Sequence, residues 1–372
     1  MVILEQPYVS DGLLDYLVIN RIPVLRNSFS DTINPRRHRL NLIKEPDFIK
    51  QYSHQKKIYT VSEYALDWVI SSLNDENLNK QITLLKNKAV FRETCRILYP
   101  DFFFTELTYQ ELLSYNILES QFPLVLKPAI GFLSTGVYVI QNKIEWANAQ
   151  IDIQMGFKAQ AEKFPDTVVG SHTFILESYI KGREFAIDLY FRDKEPVIIN
   201  IFEHPFSSEK DVSDRLYITS KIIFDGYLEL FTEYIRGLNK VLNLDKIPVH
   251  IELRVDGDNI VPVEINPLRF TGMCLNELNF YITGKHPLHY YFTDTVPDYK
   301  KMWNGKETEF YYFSIIEKAM NFSDTEISKI KSIYPNMLEL RKVENTSLNI
   351  DAFVFSKTDS EMEIENILMS NV

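Results

Sequence analysis

The chain has 372 residues, of which 45% are hydrophobic and 24% charged, ordinary proportions for a folded protein with sizeable cores and room for two or three domains. A net charge of −11 argues against nucleic acid or an anionic membrane as partner, since both reward a basic surface. Two cysteines, Cys95 and Cys274, are too few for a disulfide framework or a cysteine zinc site and suit a reducing compartment; MVILEQPYVSDG lacks the features of a signal peptide and no apolar run reaches the roughly 18 residues of a membrane span, so a cytoplasmic protein is expected.

Residues 1 to about 86 read as alternating strand and helix. VILEQ, IPVLRN and KIYTVS are short apolar runs of strand type, and YALDWVISSL, after Ser62 and Glu63, has an amphipathic helical period. No GxGxxG occurs here, which removes a dinucleotide-binding fingerprint. A helix is expected at NKAVFRETCRILY, ended by Pro100. PLVLKP and VYVIQN flank a Gly/Ser/Thr loop and predict a hairpin; HTFILESYIKGREFAIDLYF predicts two further strands broken at Lys181-Gly182-Arg183. Residues 203–220 are polar and turn-rich and read as a loop. LELFTEYIRGLNKVLNL is helical by period, and LNELNFYITGKHP reads as a helix closing near Gly284. The last 70 or so residues alternate strand and helix character without evident chemistry.

The chemistry concentrates in VHIELRVDGDNIVPVEINPLRFTG, residues 249–272, which predicts two adjacent strands joined at Asp256-Gly257-Asp258-Asn259. Period-two alternation puts His250, Glu252 and Arg254 on one face of the first strand, and Glu264 and Asn266 on one face of the second. Carboxylates at the centre of apolar strands need partners. Salt bridges to Arg254 or Arg269 are one answer. The other is a hard divalent cation held by Glu252, Glu264 and Asn266 in an all-oxygen set. Upstream, Lys127 ends an apolar strand before Pro128, where it either pairs with an anion or snorkels to water. Lys88 begins a helix, where it is either a solvated lysine or faces an anion favoured by the backbone N–H groups. Gly131, Ser134, Thr135 and Gly136 form either a phosphate-cradling loop or a plain hairpin turn. Glu177 and Glu184 flank a turn, as surface glutamates or as acceptors for a nucleoside.

Taken together and in order, these segments resemble the ATP-grasp superfamily over roughly residues 86–290. The resemblance implies an α/β (α+β) ATP-grasp fold: an N-terminal α/β domain over 1–86, a small subdomain over 87–177, and a large subdomain over 178–372, the last two clamping ATP. It implies that Lys88 and Lys127 hold the ATP phosphates under a flap, GFLSTG, with Gly131, Ser134, Thr135 and Gly136. Glu177, Ser178 and Ile180 in LESYI would meet adenine, and Glu184 the ribose. Glu252, Glu264 and Asn266 would bind two Mg²⁺ ions, with Mn²⁺ as a substitute. Arg269 resembles the arginine that follows the family's Glu-x-Asn-Pro motif and steadies an acyl phosphate, although Leu268 intervenes here. Arg215 and Lys221 are the local candidates for a γ-phosphate contact.

The activity so implied is ATP- and Mg-dependent ligation. A substrate carboxylate becomes an acyl phosphate and is coupled to an amine, with an amino acid or small peptide as the expected substrate and Arg254 or Arg269 as partner to its free carboxylate. The sparse glycines of the flap lean towards amino-acid or peptide ligases rather than biotin-carboxylase-like enzymes. Small molecules are the expected partners, and a homodimer is compatible with this reading. An ATP-grasp kinase or other phosphoryl transferase, and a nucleotide-binding module without turnover, are the alternatives.

Overall fold

A computed structural model describes residues 1–33, 39–129, 136–161, 173–208, 213–318, 323–343 and 348–369, with the side chains of 156–161 left aside. The chain divides into two compact units, one made of residues 1–82 and 182–372 and the other of 83–181.

The first unit opens with a parallel sheet of β1 (Val2–Ile3), β2 (Pro23–Leu25), β3 (Asn41–Ile43) and β4 (Tyr59–Thr60), in the order β3-β2-β1-β4. The three runs read as strands are β1, β2 and β4. The third strand in chain order, Asn41–Ile43, is short and only partly buried, so it has no strong apolar signature. YALDWVISSL forms a turn of 3-10 helix at Glu63–Ala65 and then a helix at Leu66–Ser72.

The second unit carries an antiparallel sheet of β5 (Phe104–Thr108), β6 (Leu124–Pro128), β7 (Tyr138–Ile140) and β8 (Thr173–Ser178), ordered β5-β8-β6-β7. The hairpin expected from PLVLKP and VYVIQN is β6–β7, with Leu124 opposite Ile140. Leu107, Leu112, Leu124, Leu126, Trp146 and Leu176 are central to its core. The helix expected up to Pro100 ends earlier, at Lys88–Cys95.

The rest of the first unit is an eight-stranded antiparallel sheet. Its strands are β9 (Arg183–Arg192), β10 (Glu195–His204), β11 (Leu216–Ser220), β12 (Pro248–Asp256), β13 (Asn259–Pro267), β14 (Phe310–Glu317), β15 (Met337–Lys342) and β16 (Ile350–Thr358), in the order β13-β12-β9-β10-β11-β14-β16-β15. The reading of 203–220 as a loop is corrected at both ends: 203–204 finish β10, and 216–220 form β11, which pairs with β14. That pairing partner lies about 90 residues downstream, beyond any local signal. Alternation along β9 turns Phe185 towards Tyr227 and Phe231 of the helix Lys221–Leu242. Tyr190 on the opposite face joins Val197, Ile199, Val2, Leu4, Leu14 and Leu17 in one core. This shared core is why residues 1–82 group with 182–372.

β8 and β9 belong to different sheets, and Gly182 precedes β9 with φ +109°. A Cβ there would sit 2.1 Å from the Val255 carbonyl oxygen. Gly182→Ala is therefore expected to lower stability by more than about 1 kcal/mol, through both the disfavoured φ and the backbone clash. Urea unfolding of the two proteins measures it, and an unchanged midpoint would contradict the geometry.

Candidate active site

In the unit of residues 83–181, the helix Lys88–Cys95 is capped by Asn87, whose side chain accepts from Ala89 N and Val90 N. The Lys88 N–H donates to Ala129 O at 3.0 Å, which ties the helix start to the end of β6, the strand bearing Lys127. Lys127 is buried, and its Nζ lies 2.6 Å from Glu177 Oε1. Arg92 is buried beside it, donating through Nε to Glu177 Oε2 at 2.6 Å and through Nη2 to Oε1 at 3.2 Å. Burial alone would raise the Glu177 pKa, but Arg92 and Lys127 outweigh it and bring the carboxyl down to about 2. Lys127 moves down, chiefly because burial disfavours its charge, with Glu177 opposing and Arg92 adding repulsion. Two cations against one carboxylate leave this buried cluster one positive charge in excess.

Glu177 thus has both oxygens engaged by Arg92 and Lys127. Ser178 N donates to Phe103 O at 2.9 Å, and Ile180 is buried just after β8. Of the loop residues, Gly136 is exposed with φ +76°, while Gly131, Ser134 and Thr135 lie outside the described residues.

In the other unit, β12 and β13 form the expected hairpin, turned by Gly257 at φ +59°. Glu252 stands directly opposite Glu264, and His250 opposite Asn266. A bulge leaves Val263 without an opposite residue, so Pro262 and Ile265 are both buried on the inner side while Glu264 and Asn266 keep the face of Glu252. Like charges directly opposite in a ladder are unfavourable unless a cation joins them. Arg254 Nε donates to Glu184 Oε2 at 2.8 Å, while Arg269 Nη2 lies 3.7 Å from Glu63 Oε1 and its Nη1 donates to Phe270 O at 3.2 Å. Asn266 is 2% exposed, and its Oδ1 has no hydrogen-bond partner. A buried amide oxygen left unpaired costs about 1–3 kcal/mol. Among the described residues no three His, Cys, Asp or Glu side chains converge as a ready-made metal site. The oxygen set of Glu252, Glu264 and Asn266 therefore depends on the amide, and the orphaned Oδ1 fits it to a hard cation.

Two networks hold this face. Glu184 is partly buried and accepts from Arg254, and it lies 3.1 Å from His204 Nδ1. Burial would raise its pKa, but His204 and Arg254 hold it below the usual range. Asp188 is 0% exposed; its Oδ1 meets His250 Nδ1 at 3.1 Å and accepts from Thr271 N at 2.6 Å and Thr271 Oγ1 at 2.7 Å, while Oδ2 accepts from Asn200 Nδ2 at 2.8 Å. His250 Nε2 then lies 3.3 Å from Glu252 Oε1. Burial would lower the His250 pKa, but Asp188 and Glu252 outweigh it and push it up to about 9. Leu268, which precedes Arg269, takes φ +62°, and its carbonyl accepts from Thr60 N at 2.7 Å. Arg215 bonds Ser213 and Ser207, and Lys221 pairs with Asp225.

The family model described as ATP-grasp domain matches residues 120–277. Similar solved structures include L-amino acid ligase from Bacillus licheniformis, at TM-score 0.70 and 16% identity, covering 99% of this chain and 95% of that one. N5-carboxyaminoimidazole synthase from Aspergillus clavatus, solved with ADP and its ribonucleotide, matches at TM-score 0.61 and 14% identity over 99% and 96%. The biotin carboxylase domain of Hydrogenobacter thermophilus 2-oxoglutarate carboxylase matches at 0.59 and 11% over 98% and 88%. At these identities the likeness shows the ATP-grasp fold. No curated protein matches the chain in sequence. No helix among the described residues is long and apolar enough to cross a membrane.

Arg92, Asp188 and His204 join these networks without having been singled out in the sequence. Arg92 sits on the buried stripe with Ala89 and Cys95, three residues from each, and an arginine on that stripe was the available signal. Asp188 is a carboxylate amid the apolar run FAIDLYF, the same signal that marked Glu264.

Glu177→Gln is expected to leave Arg92 and Lys127 buried without their counter-ion, at a cost of about 3–5 kcal/mol. Because its folded pKa is depressed, Glu177 contributes stability that is full above 4.5 and lost as the pH falls towards about 2. Unfolding curves between pH 2 and 6 check both points: the variant should lose that part of the pH dependence, and parallel curves would refute it.

Proposed function

We propose that this protein is an ATP-dependent carboxylate–amine ligase. The observation that carries the reading is the Glu252–Glu264 pair beside the orphaned Asn266 Oδ1. Glu252, Glu264 and Asn266 would hold Mg²⁺, which when bound supplies charge neutralisation for nucleotide phosphates. The two cations Lys127 and Arg92 around Glu177, with Lys88 at its helix start, support a role for that unit in binding nucleotide phosphates.

In this reading the substrate carboxylate oxygen attacks the γ-phosphorus, and the bond to the β-phosphate oxygen breaks to release ADP. The amine, in its neutral form, then attacks the acyl carbon through nitrogen, the carbon–oxygen bond to phosphate breaks, and the departing phosphate takes the nitrogen's proton as the amide forms. Lysine and arginine do their work by position and charge, and no protein nucleophile is required. Arg269 is assigned to the acyl phosphate, because Nη2 stands 3.7 Å from its acidic neighbour, a loose contact that a phosphate oxygen can replace. Arg254 is assigned a supporting role through Glu184. An amino acid or small peptide is the proposed substrate class, in keeping with the amino-acid ligase among the similar structures. The buried, unbridged Cys95 and Cys274 support a cytoplasmic setting.

The test is incubation with Mg-ATP, hydroxylamine and pooled carboxylates, following ADP and hydroxamate. Carboxylate-dependent hydroxamate is the expected result. Phosphate retained on a hydroxyl compound would instead assign a kinase, and ATP binding without any turnover a binding module. Glu264→Gln is expected to lose turnover on the order of 100-fold, with near-normal turnover ruling out its metal role. Lys127→Ala is expected to weaken ATP binding about tenfold or more, about 1.4 kcal/mol. Titration calorimetry with ATP measures the second, and unchanged affinity would return Lys127 to a structural role.

A further inference from the structure

Beside the loop that follows Arg269 lies a recess of about 30 Å³, lined among others by Tyr8, Ser10, Gly272, Cys274, Glu277 and His286. All belong to the unit of residues 1–82 and 182–372. Such a volume takes one or two water-sized groups, the scale of a ligand's polar end. Gly272 forms part of the wall, and Arg269 Nη1 lies 3.7 Å from where a Cβ on Gly272 would stand. The recess is thus next to the guanidinium assigned above to the acyl phosphate.

Its polarity is specific. Glu277 is buried; its Oε1 accepts from Ser10 Oγ and its Oε2 from Arg341 Nη1 at 2.8 Å. Arg341 also donates through Nη2 to Glu339 at 2.9 Å, so two carboxylates share one guanidinium and one negative charge is left over. His286 is 8% exposed and its ring stacks on Tyr16 at 4.8 Å, which fixes its plane. Its Nδ1 accepts from Leu288 N at 3.2 Å, which assigns the ring proton to Nε2. That Nε2 has no hydrogen-bond partner, and Glu277 Oε1 is 3.8 Å away, too far for a direct bond. A structural strut explains Glu277, Ser10 and Arg341, because it joins the N-terminus of the helix Asp11–Ile19 to β15. It does not explain an unsatisfied buried donor on an open recess.

We propose that this recess is the subsite for the amine substrate and that it takes a free α-amino acid, with the ammonium on Glu277 and the α-carboxylate on His286 Nε2. An α-amino acid carries a cationic donor and an anionic acceptor on one carbon, the complement of an acceptor and a donor 3.8 Å apart. A simple amine lacks the acceptor, and a dicarboxylate lacks the donor. The proposal rests on the ligase reading and adds which partner binds where.

The experiment compares amines on the full-length protein with the carboxylate found by hydroxylamine trapping. Each amino acid is paired with the amine it would leave on decarboxylation, beginning with glycine and methylamine, alanine and ethylamine. For at least one pair, kcat/KM is expected to favour the amino acid by about tenfold or more, the worth of one charge-assisted hydrogen bond. His286→Leu is expected to collapse that ratio towards one, and His286→Gln, which keeps an N–H donor, to recover part of it. Amines matching their amino acids throughout in the wild-type protein would overturn the subsite. So would a His286→Leu variant that loses activity with both members of a pair equally, because structural damage lowers both rates and leaves their ratio intact. Absence of hydroxamate with every carboxylate would overturn the ligase reading, and the subsite with it.

Discussion

The hairpin and the loop beside it on the large sheet are tied together by Asp188. It is fully buried at the centre of β9, and a carboxyl group there is tolerable only because four hydrogen bonds converge on it. Those four bonds reach three parts of the site, two of them ending on Thr271. His250 carries the constraint to Glu252 on the hairpin. Thr271 carries it to the loop holding Arg269 and Gly272. Asn200 carries it across β10 to Asn279, which donates to Asn200 Oδ1 at 2.8 Å. The hairpin proposed to hold the metal and the proposed substrate loop are therefore tied to one residue that is itself assigned no contact with ligand.

A second constraint is backbone rather than charge. Leu268 is 1% exposed and holds a left-handed φ, a conformation that costs a bulky side chain about 1–3 kcal/mol. Its carbonyl bond to Thr60, with Tyr59 Oη accepting from Phe270 N and Asn276 Nδ2, pins the loop from the N-terminal sheet. The extra residue before Arg269 is accommodated by this strained turn. The N-terminal 82 residues thus act on the site by buttressing it, which gives the otherwise plain α/β segment a mechanical reason to share a core with the large sheet.

Much of the site was legible because strands have a fixed period. Alternation along HIELR and VPVEIN placed Glu252, Glu264 and Asn266 on one face without knowledge of their neighbours. The same rule located Lys127 at a strand end. What alternation cannot supply is the identity of the partner across the sheet. Arg254 was available to Glu252, Glu264 or a substrate on sequence grounds, yet β12 pairs with β9 so that Arg254 stands opposite Glu184 and bonds it. Glu177 read as a residue waiting for a nucleoside, while Arg92, 85 positions earlier, already occupies it together with Lys127. The strand at 216–220 was hidden by its polar flank, and only its pairing with β14 reveals it.

By itself, then, the amino-acid order determined the local period, the hairpin and the kinds of atom offered to a cation and to phosphates, because these depend on residues a few positions apart. Only the tertiary structure decided the charge pairing: the surplus positive charge around Glu177, the like-charged Glu252–Glu264 pair, and the unsatisfied oxygen of Asn266 and nitrogen of His286. Whether a buried polar atom is satisfied depends on every neighbour within about 3 Å, and in this protein those neighbours come from segments as far apart as Ser10, Glu277 and Arg341.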